Sequence, residues 1–120
     1  MATTFRLKRI YDAAEDGDGY RVLVDRLWPR GVSKAKAKID VWLKEIAPSD
    51  DLRHGLHDGA DKWKTFIAAY GKELKQPEAE EAAAELRKRL RKGPVTLLYA
   101  ARDEEHNNTV ALKYWLERRS

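Results

Sequence analysis

The sequence predicts an α/β fold: a small, mainly parallel three-stranded sheet flanked by about five helices, in a single domain spanning residues 1–120. Three observations lead there. Two short apolar runs, Val22–Val24 and Val95–Ala100, lack the apolar-polar alternation of a half-wet strand and read as strands covered on both faces. About seventy residues of mostly helical periodicity separate them, as a right-handed helical crossover between parallel neighbours requires. Each run also passes into charged residues within a few positions, and in open α/β sheets ligands bind beyond the carboxyl ends of the strands.

The elements follow in order. Phe5 to Ile10 sets Phe5 and Leu7 against Arg6 and Lys8, the alternation of a first strand near a sheet edge. Asp16-Gly17-Asp18-Gly19 is a turn, so the second strand either returns antiparallel or is reached through a single helical turn. The second strand is Tyr20 onward, and Pro29 and Gly31 end it. Ser33 is placed to cap a short helix over Lys34–Lys38. Asp40 to Ile46 carries Trp42, Leu43 and Ile46 at helical spacing, and Pro48-Ser49-Asp50-Asp51 stops it and starts one or two helical turns over Leu52–His54. Between Asp61 and Lys75, Trp63, Phe66, Ile67, Tyr70 and Leu74 form one apolar stripe of an amphipathic helix. Pro77 suits the first turn of the next helix, which ends in Arg87 to Lys92 before Gly93-Pro94. Val95–Ala100 is the third strand, and a last helix capped by Asn107 or Asn108 turns Ala111, Leu112, Trp115 and Leu116 inward.

Composition narrows the function classes. Hydrophobic residues at 42% and charged residues at 37% suit a globular chain, not a disordered tail. A chain of 120 residues buries roughly two thirds of its unfolded surface and needs no staple. No apolar run approaches the roughly 20 residues of a membrane span, and the N-terminus lacks a secretory core, so the cytoplasm is the expected location. With no cysteine, disulfides, thiolate catalysis and Cys-based metal sites are excluded. The net charge of +4 favours anionic partners only mildly.

If the second and third strands are adjacent and parallel, their ends bring Asp25, Arg26, Trp28 and Arg30 close to Arg102, Asp103, His106 and Asn107. The start of the last helix offers free amides and a positive dipole end, and Ala100 and Ala101 let a ligand approach the backbone. Arg26, Arg30, Arg102 and Arg53 offer planar donor forks suited to phosphate or carboxylate. The competing reading is that arginines beside Asp25 and Asp103 are ion pairs that close the sheet end. Asp25 is a base, a metal ligand or an anchor for arginine, with anchoring favoured for a lone carboxylate. His106 beside Asp103 is either a proton donor and acceptor or a solvent-facing neighbour of the cap, the second being favoured. Trp28 either walls a pocket or covers the end of the core, whereas Trp63 and Trp115 fit the apolar stripes of their helices. His54 and His57, with Asp58 beside them, are spaced to share a metal, but Gly55 between them weakens the helix and no metal is expected.

Several of these motifs occur together in a known order. Lys8-Arg9-Ile10-Tyr11-Asp12, then Arg21 to Gly31 (RVLVDRLWPRG), then Trp42 to Ser49 (WLKEIAPS) with Leu52-Arg53, then Thr96 to Asn107 (TLLYAARDEEHN) resemble the YeaO-like branch of the bacterial domain-of-unknown-function 488 family. The resemblance spans nearly the whole chain. It implies a compact cytosolic α/β protein with these residues gathered at one sheet end, and it brings no settled activity. Longer members tend to place cysteines near the second strand end, where Tyr99 and Glu105 stand here, so no thiol chemistry carries over.

The expected function is binding of an anionic, phosphate-bearing ligand beyond the second and third strands. Arg26, Arg30, Arg53, Arg102 and Asn107 would hold it, Trp28 would wall it, and Asp25, Asp103 and His106 would orient it or exchange protons. Enzyme and non-enzyme readings both stay open, and no pattern names a cofactor. The alternatives are a nucleic-acid binding module, with a basic stripe running to Arg91 or Lys92, and a structural or interaction protein whose arginines are all paired. No membrane partner is expected.

Overall fold

The computed structural model describes residues 4–54 and 60–118. Four strands, β1 (Arg6–Arg9), β2 (Tyr20–Leu23), β3 (Val41–Trp42) and β4 (Val95–Tyr99), form one sheet in the order β1-β4-β2-β3, and every pair is parallel. The helices are α1 (Lys34–Ala37), α2 (Asp50–His54), α3 (Ala60–Glu73), α4 (Pro77–Lys92) and α5 (Asn108–Arg118). Among the described residues the five helices and the parallel sense agree with expectation, but the sheet has four strands where the sequence predicted three.

The extra strand corrects the helix expected over Asp40–Ile46. Trp42, Leu43 and Ile46 do repeat at helical spacing, yet only Lys44–Ile46 turns, and as a 3-10 helix. Asp40 decides the outcome. Its carboxylate accepts from the Arg21 amide at 2.8 Å, and its own N–H donates to the Arg21 carbonyl at 2.8 Å. That exchange lays Val41 beside Val22 and Trp42 beside Leu23, and a β-branched residue followed by an aromatic suits a pleated edge. The direction of the first strand, left open by the sequence, is parallel, and a single 3-10 turn at Asp16–Asp18 lies on its route past β4 to β2.

Alternation along β2 and β4 divides the core between the two sheet faces. Val22, Val24, Val95 and Leu97 join Phe66, Tyr70, Leu86, Leu112 and Leu116 from α3, α4 and α5 in the larger cluster. Leu23 and Leu98 point the other way and meet Ile10 and Ala37, with Trp28 and Trp42 packed over them. Trp63 and Trp115 pack against the larger core, as the helical stripes predict.

Two local devices lock the strand starts. Gly19 has φ 66°, and a Cβ there would run into the Pro94 carbonyl, so only glycine lets β2 begin beside β4. Buried Asp18 accepts from both Lys8 and Arg21, whose guanidinium also donates to the Lys38 and Ala37 carbonyls. Burial pushes the Asp18 carboxyl up, but the Glu15 amide, Lys8 and Arg21 outweigh it and hold the group below its usual range.

Candidate functional site

Beyond Leu23 the chain leaves the sheet and presents Asp25 toward the end of β4. One carboxylate oxygen accepts from the Ala100 amide at 2.8 Å, and the other from the Asn108 side-chain amide at 3.1 Å. Asn108, buried in the first turn of α5, also donates to the Val24 carbonyl at 3.4 Å. Asp25 is therefore a clasp joining the end of β2, the end of β4 and the start of α5. The adjacency on which the expected site depended is present.

Asn107, rather than Asn108, caps α5, its side-chain oxygen accepting from the Thr109 and Val110 amides at 2.9 Å each. Asp103 does the same one turn earlier, accepting from Glu105 and His106 at 2.9 Å each. Those amides, His106 first, hold its carboxyl below the ordinary range despite its exposure. The His106 ring stands edge-on to Trp63 at 5.2 Å, with Nδ1 3.5 Å from Asp103. Tyr99 is buried in β4, and that burial pushes its hydroxyl up.

A cleft of about 340 Å³ opens over the carboxyl ends of β2 and β4. Ala100, Ala101, Asp25 and Asn108 line it, as do Tyr11 and Pro48, and the segment Arg26-Leu27-Trp28-Pro29-Arg30 forms its remaining wall. Of the residues singled out from sequence, Asp25, Arg26, Trp28 and Arg30 line it. Arg102, Asp103, His106 and Asn107 lie in the following turn and are not among its lining residues. Arg53 belongs to α2, but its side chain lies outside the described residues, as do the side chain of His54 and all of His57 and Asp58. Among the described residues, no three His, Cys, Asp or Glu gather as a metal site, and no helix is long and apolar enough to cross a membrane.

The arginines around the cleft are held by backbone oxygens. Arg26 donates from Nε to the Pro48 carbonyl at 3.0 Å and from Nη2 to the Ala47 carbonyl at 3.1 Å. Arg9 donates from Nε to Ala101 at 3.0 Å and from Nη2 to Ala100 at 3.2 Å, and its guanidinium lies 5.1 Å from the Tyr11 ring centre. Carbonyls fix the forks without cancelling their charge. The side chain of Arg30 is in no ion pair among the described residues, while its carbonyl accepts from the Tyr11 hydroxyl at 3.0 Å. Trp28 serves both roles considered for it. It walls the cleft, and it closes the smaller core, meeting Trp42 edge-on at 5.3 Å and donating to the Val32 carbonyl at 2.7 Å.

On the inner side of Arg26 a smaller cavity of about 120 Å³ is lined in part by Tyr70 and Glu73 of α3. The Tyr70 hydroxyl donates to the Ile46 carbonyl, and burial, then the carboxylates of Asp25 and Glu73, push its pKa far up. Glu73 accepts from the Ser49 amide at 2.9 Å and its hydroxyl at 2.6 Å, tying the entry of α2 to α3. Tyr11, Leu27, Pro48 and Asn108 line the cleft and were missed as site residues, as was Arg9, whose guanidinium lies by the Tyr11 ring. The signal for Arg9 and Tyr11 was the direction of β1: once that strand is parallel, its carboxyl end must arrive at the same edge.

Four parallel strands, helices α3 to α5 over one face and a cleft at the strand ends lined by arginines and apolar side chains define a small parallel α/β protein. Its family is equally definite. The model of the inactive DUF488-N3 subclade matches residues 4–120, and the chain belongs to that family. It is 46% identical over 110 residues to the uncharacterized protein YeaO of Escherichia coli K12, covering 91% of this chain and 93% of that protein. It is 35% identical over 117 residues to the uncharacterized proteins Rv3073c of Mycobacterium tuberculosis H37Rv and Mb3100c of Mycobacterium bovis, covering 98% of this chain and 97% of each. No solved structure matches the chain.

Proposed function

We propose that this protein binds a small phosphate-bearing anion in the cleft at the ends of β2 and β4 and does not turn it over. One observation carries the reading: Arg26 and Arg30 both line the cleft, the first with its fork on neutral carbonyls and the second in no ion pair among the described residues. Had these arginines been closing the sheet end on carboxylates, their charge would be spent inside the fold. Held on carbonyls, it is available to an anion, and the small floor residues Ala100 and Ala101 leave room for one.

The engagement of the candidate proton-transfer groups supports binding without turnover. Both oxygens of Asp25 accept hydrogen bonds from scaffold amides. Asp103 caps its own turn, and neither it nor His106 lines the cleft. The family description as an inactive subclade agrees with this.

The test is thermal shift and calorimetry against inorganic phosphate and a set of phosphate monoesters, with released phosphate measured in parallel. A ligand at about 100 times its Kd stabilises by roughly 2.7 kcal/mol. Arg30→Ala should abolish the shift, since the arginine is exposed and its side chain has no role in the core. Absence of any shift at millimolar anion, or a shift indifferent to Arg30→Ala, refutes binding. Sustained phosphate release refutes the second half of the reading.

A further inference from the structure

The apolar rim of the same cleft narrows the ligand class, an inference that rests on the binding reading above. Among the described residues three large hydrophobic side chains are exposed, and two of them, Tyr11 at 47% and Leu27 at 55%, stand at this cleft. Exposed apolar surface gathered at a concave site that also carries arginines is a recognition feature rather than scatter.

Tyr11 is also held as a platform would be. It sits in the turn after β1, where the Asp12 amide donates to the Arg9 carbonyl at 3.0 Å. Its hydroxyl is tied to the Arg30 carbonyl on the far wall, and its ring rests by the Arg9 guanidinium. Because β4 lies between β1 and β2 in the sheet, this tether spans the end of β4 and the floor at Ala100 and Ala101. A ring fixed at its tip and beside a cation loses little freedom when something packs on it.

A cleft of about 340 Å³ has room for on the order of ten waters, far more than an inorganic phosphate displaces. A phosphate or sugar phosphate bound by Arg26 and Arg30 would leave Tyr11 and Leu27 wet. We infer that the ligand is a phosphate monoester carried on a planar aromatic or heteroaromatic body, with the phosphate toward Arg26 and Arg30 and the ring against Tyr11 and Leu27.

The experiment compares dissociation constants for phenyl phosphate, adenosine 5′-monophosphate, ribose 5-phosphate and inorganic phosphate with the full chain. At least one of the two ring-bearing esters should bind about tenfold more tightly than ribose 5-phosphate, the worth of one good ring contact. Tight phenyl phosphate would identify a simple aryl ester, and adenosine monophosphate alone a nucleotide. Leu27→Ala, at an exposed position where folding is not at stake, should bring the ring preference below about threefold, and Tyr11→Ala should do the same. Equal binding of all four probes, or a ring preference untouched by Leu27→Ala, overturns the inference while leaving anion binding standing. No binding of any probe removes the reading on which it rests.

Discussion

Replacing Asp25 separates its scaffolding from any chemical role. Its two carboxylate oxygens accept from the Ala100 amide at 2.8 Å and the Asn108 side chain at 3.1 Å. Hydrogen bonds to a charged acceptor contribute about 1.5–3 kcal/mol each, and neutral ones about 0.5–1.5. Asp25→Asn keeps an acceptor for Ala100 but sets its NH₂ against the Asn108 NH₂, which the Val24 carbonyl holds in place, so one charged bond becomes neutral and the other is lost at a cost of about 3 kcal/mol. Asp25→Ala leaves the Ala100 amide and the buried Asn108 amide without that acceptor, a cost of about 4 kcal/mol from two unmade bonds. For a chain of this size that is a fall in Tm on the order of 15 °C. Urea unfolding followed by tryptophan fluorescence reads both values. A loss below about 1 kcal/mol for Asp25→Ala would refute the clasp.

The charge cluster on the opposite end of β2 sets a pH window. Asp18 is depressed below 3.8 in the folded protein, so its contribution is complete above that value and is lost as pH falls through the lower folded pKa. Lys8 is raised above 10.5, chiefly by Glu15, so its contribution is complete below 10.5 and is lost as pH climbs past the folded value. The contribution of this cluster should be level between those limits, and Asp18→Asn should lessen the acid slope while Lys8→Met lessens the alkaline one; unchanged slopes would assign them to other groups. In α3, a Cβ on Gly71 would lie 2.5 Å from the Trp115 ring, whose N–H donates to the Ile67 carbonyl at 3.1 Å. Gly71→Ala should gain up to about 1 kcal/mol of helix propensity yet lose about 1–3 through displacement of that ring, so Tm falls and the tryptophan emission shifts. A rise in Tm would show that the ring moves freely.

What could be read from the sequence was whatever rests on periodicity and punctuation. The stripe Trp63, Phe66, Ile67, Tyr70, Leu74, the Pro77 start and the apolar run Val95–Tyr99 each fix their element locally, and α3, α4 and β4 follow from them. β3 was not legible, because its two residues are strand only by exchange with Arg21, nineteen positions away, through Asp40. The same limit hid one wall of the cleft. Asp25, Arg26, Trp28 and Arg30 were visible as polar and aromatic residues after a buried strand, whereas Tyr11, with Arg9 against its ring, depends on the direction of β1, which no local pattern encodes. Arg102, Asp103 and His106 were drawn in by proximity in sequence. The structure spends Asp103 on its own turn and sets His106 against Trp63.

The use of carbonyls as arginine partners explains why the site can be both rigid and uncommitted. At the start of β2, Arg21 meets the buried carboxylate of Asp18, and the charge there is consumed in holding the fold. At the end of β2 and β4 the arrangement is inverted: the carboxylate of Asp25 is given backbone and amide donors, while Arg26 and Arg9 are given backbone acceptors. Backbone partners fix geometry as ions do, and a carbonyl does not neutralise the arginine it holds. Amide donors on Asp25 and carbonyl acceptors on Arg26 and Arg9 each tie a strand end to its neighbours, so the proposed anion site would rest on backbone contacts where the start of β2 rests on the Asp18–Arg21 ion pair.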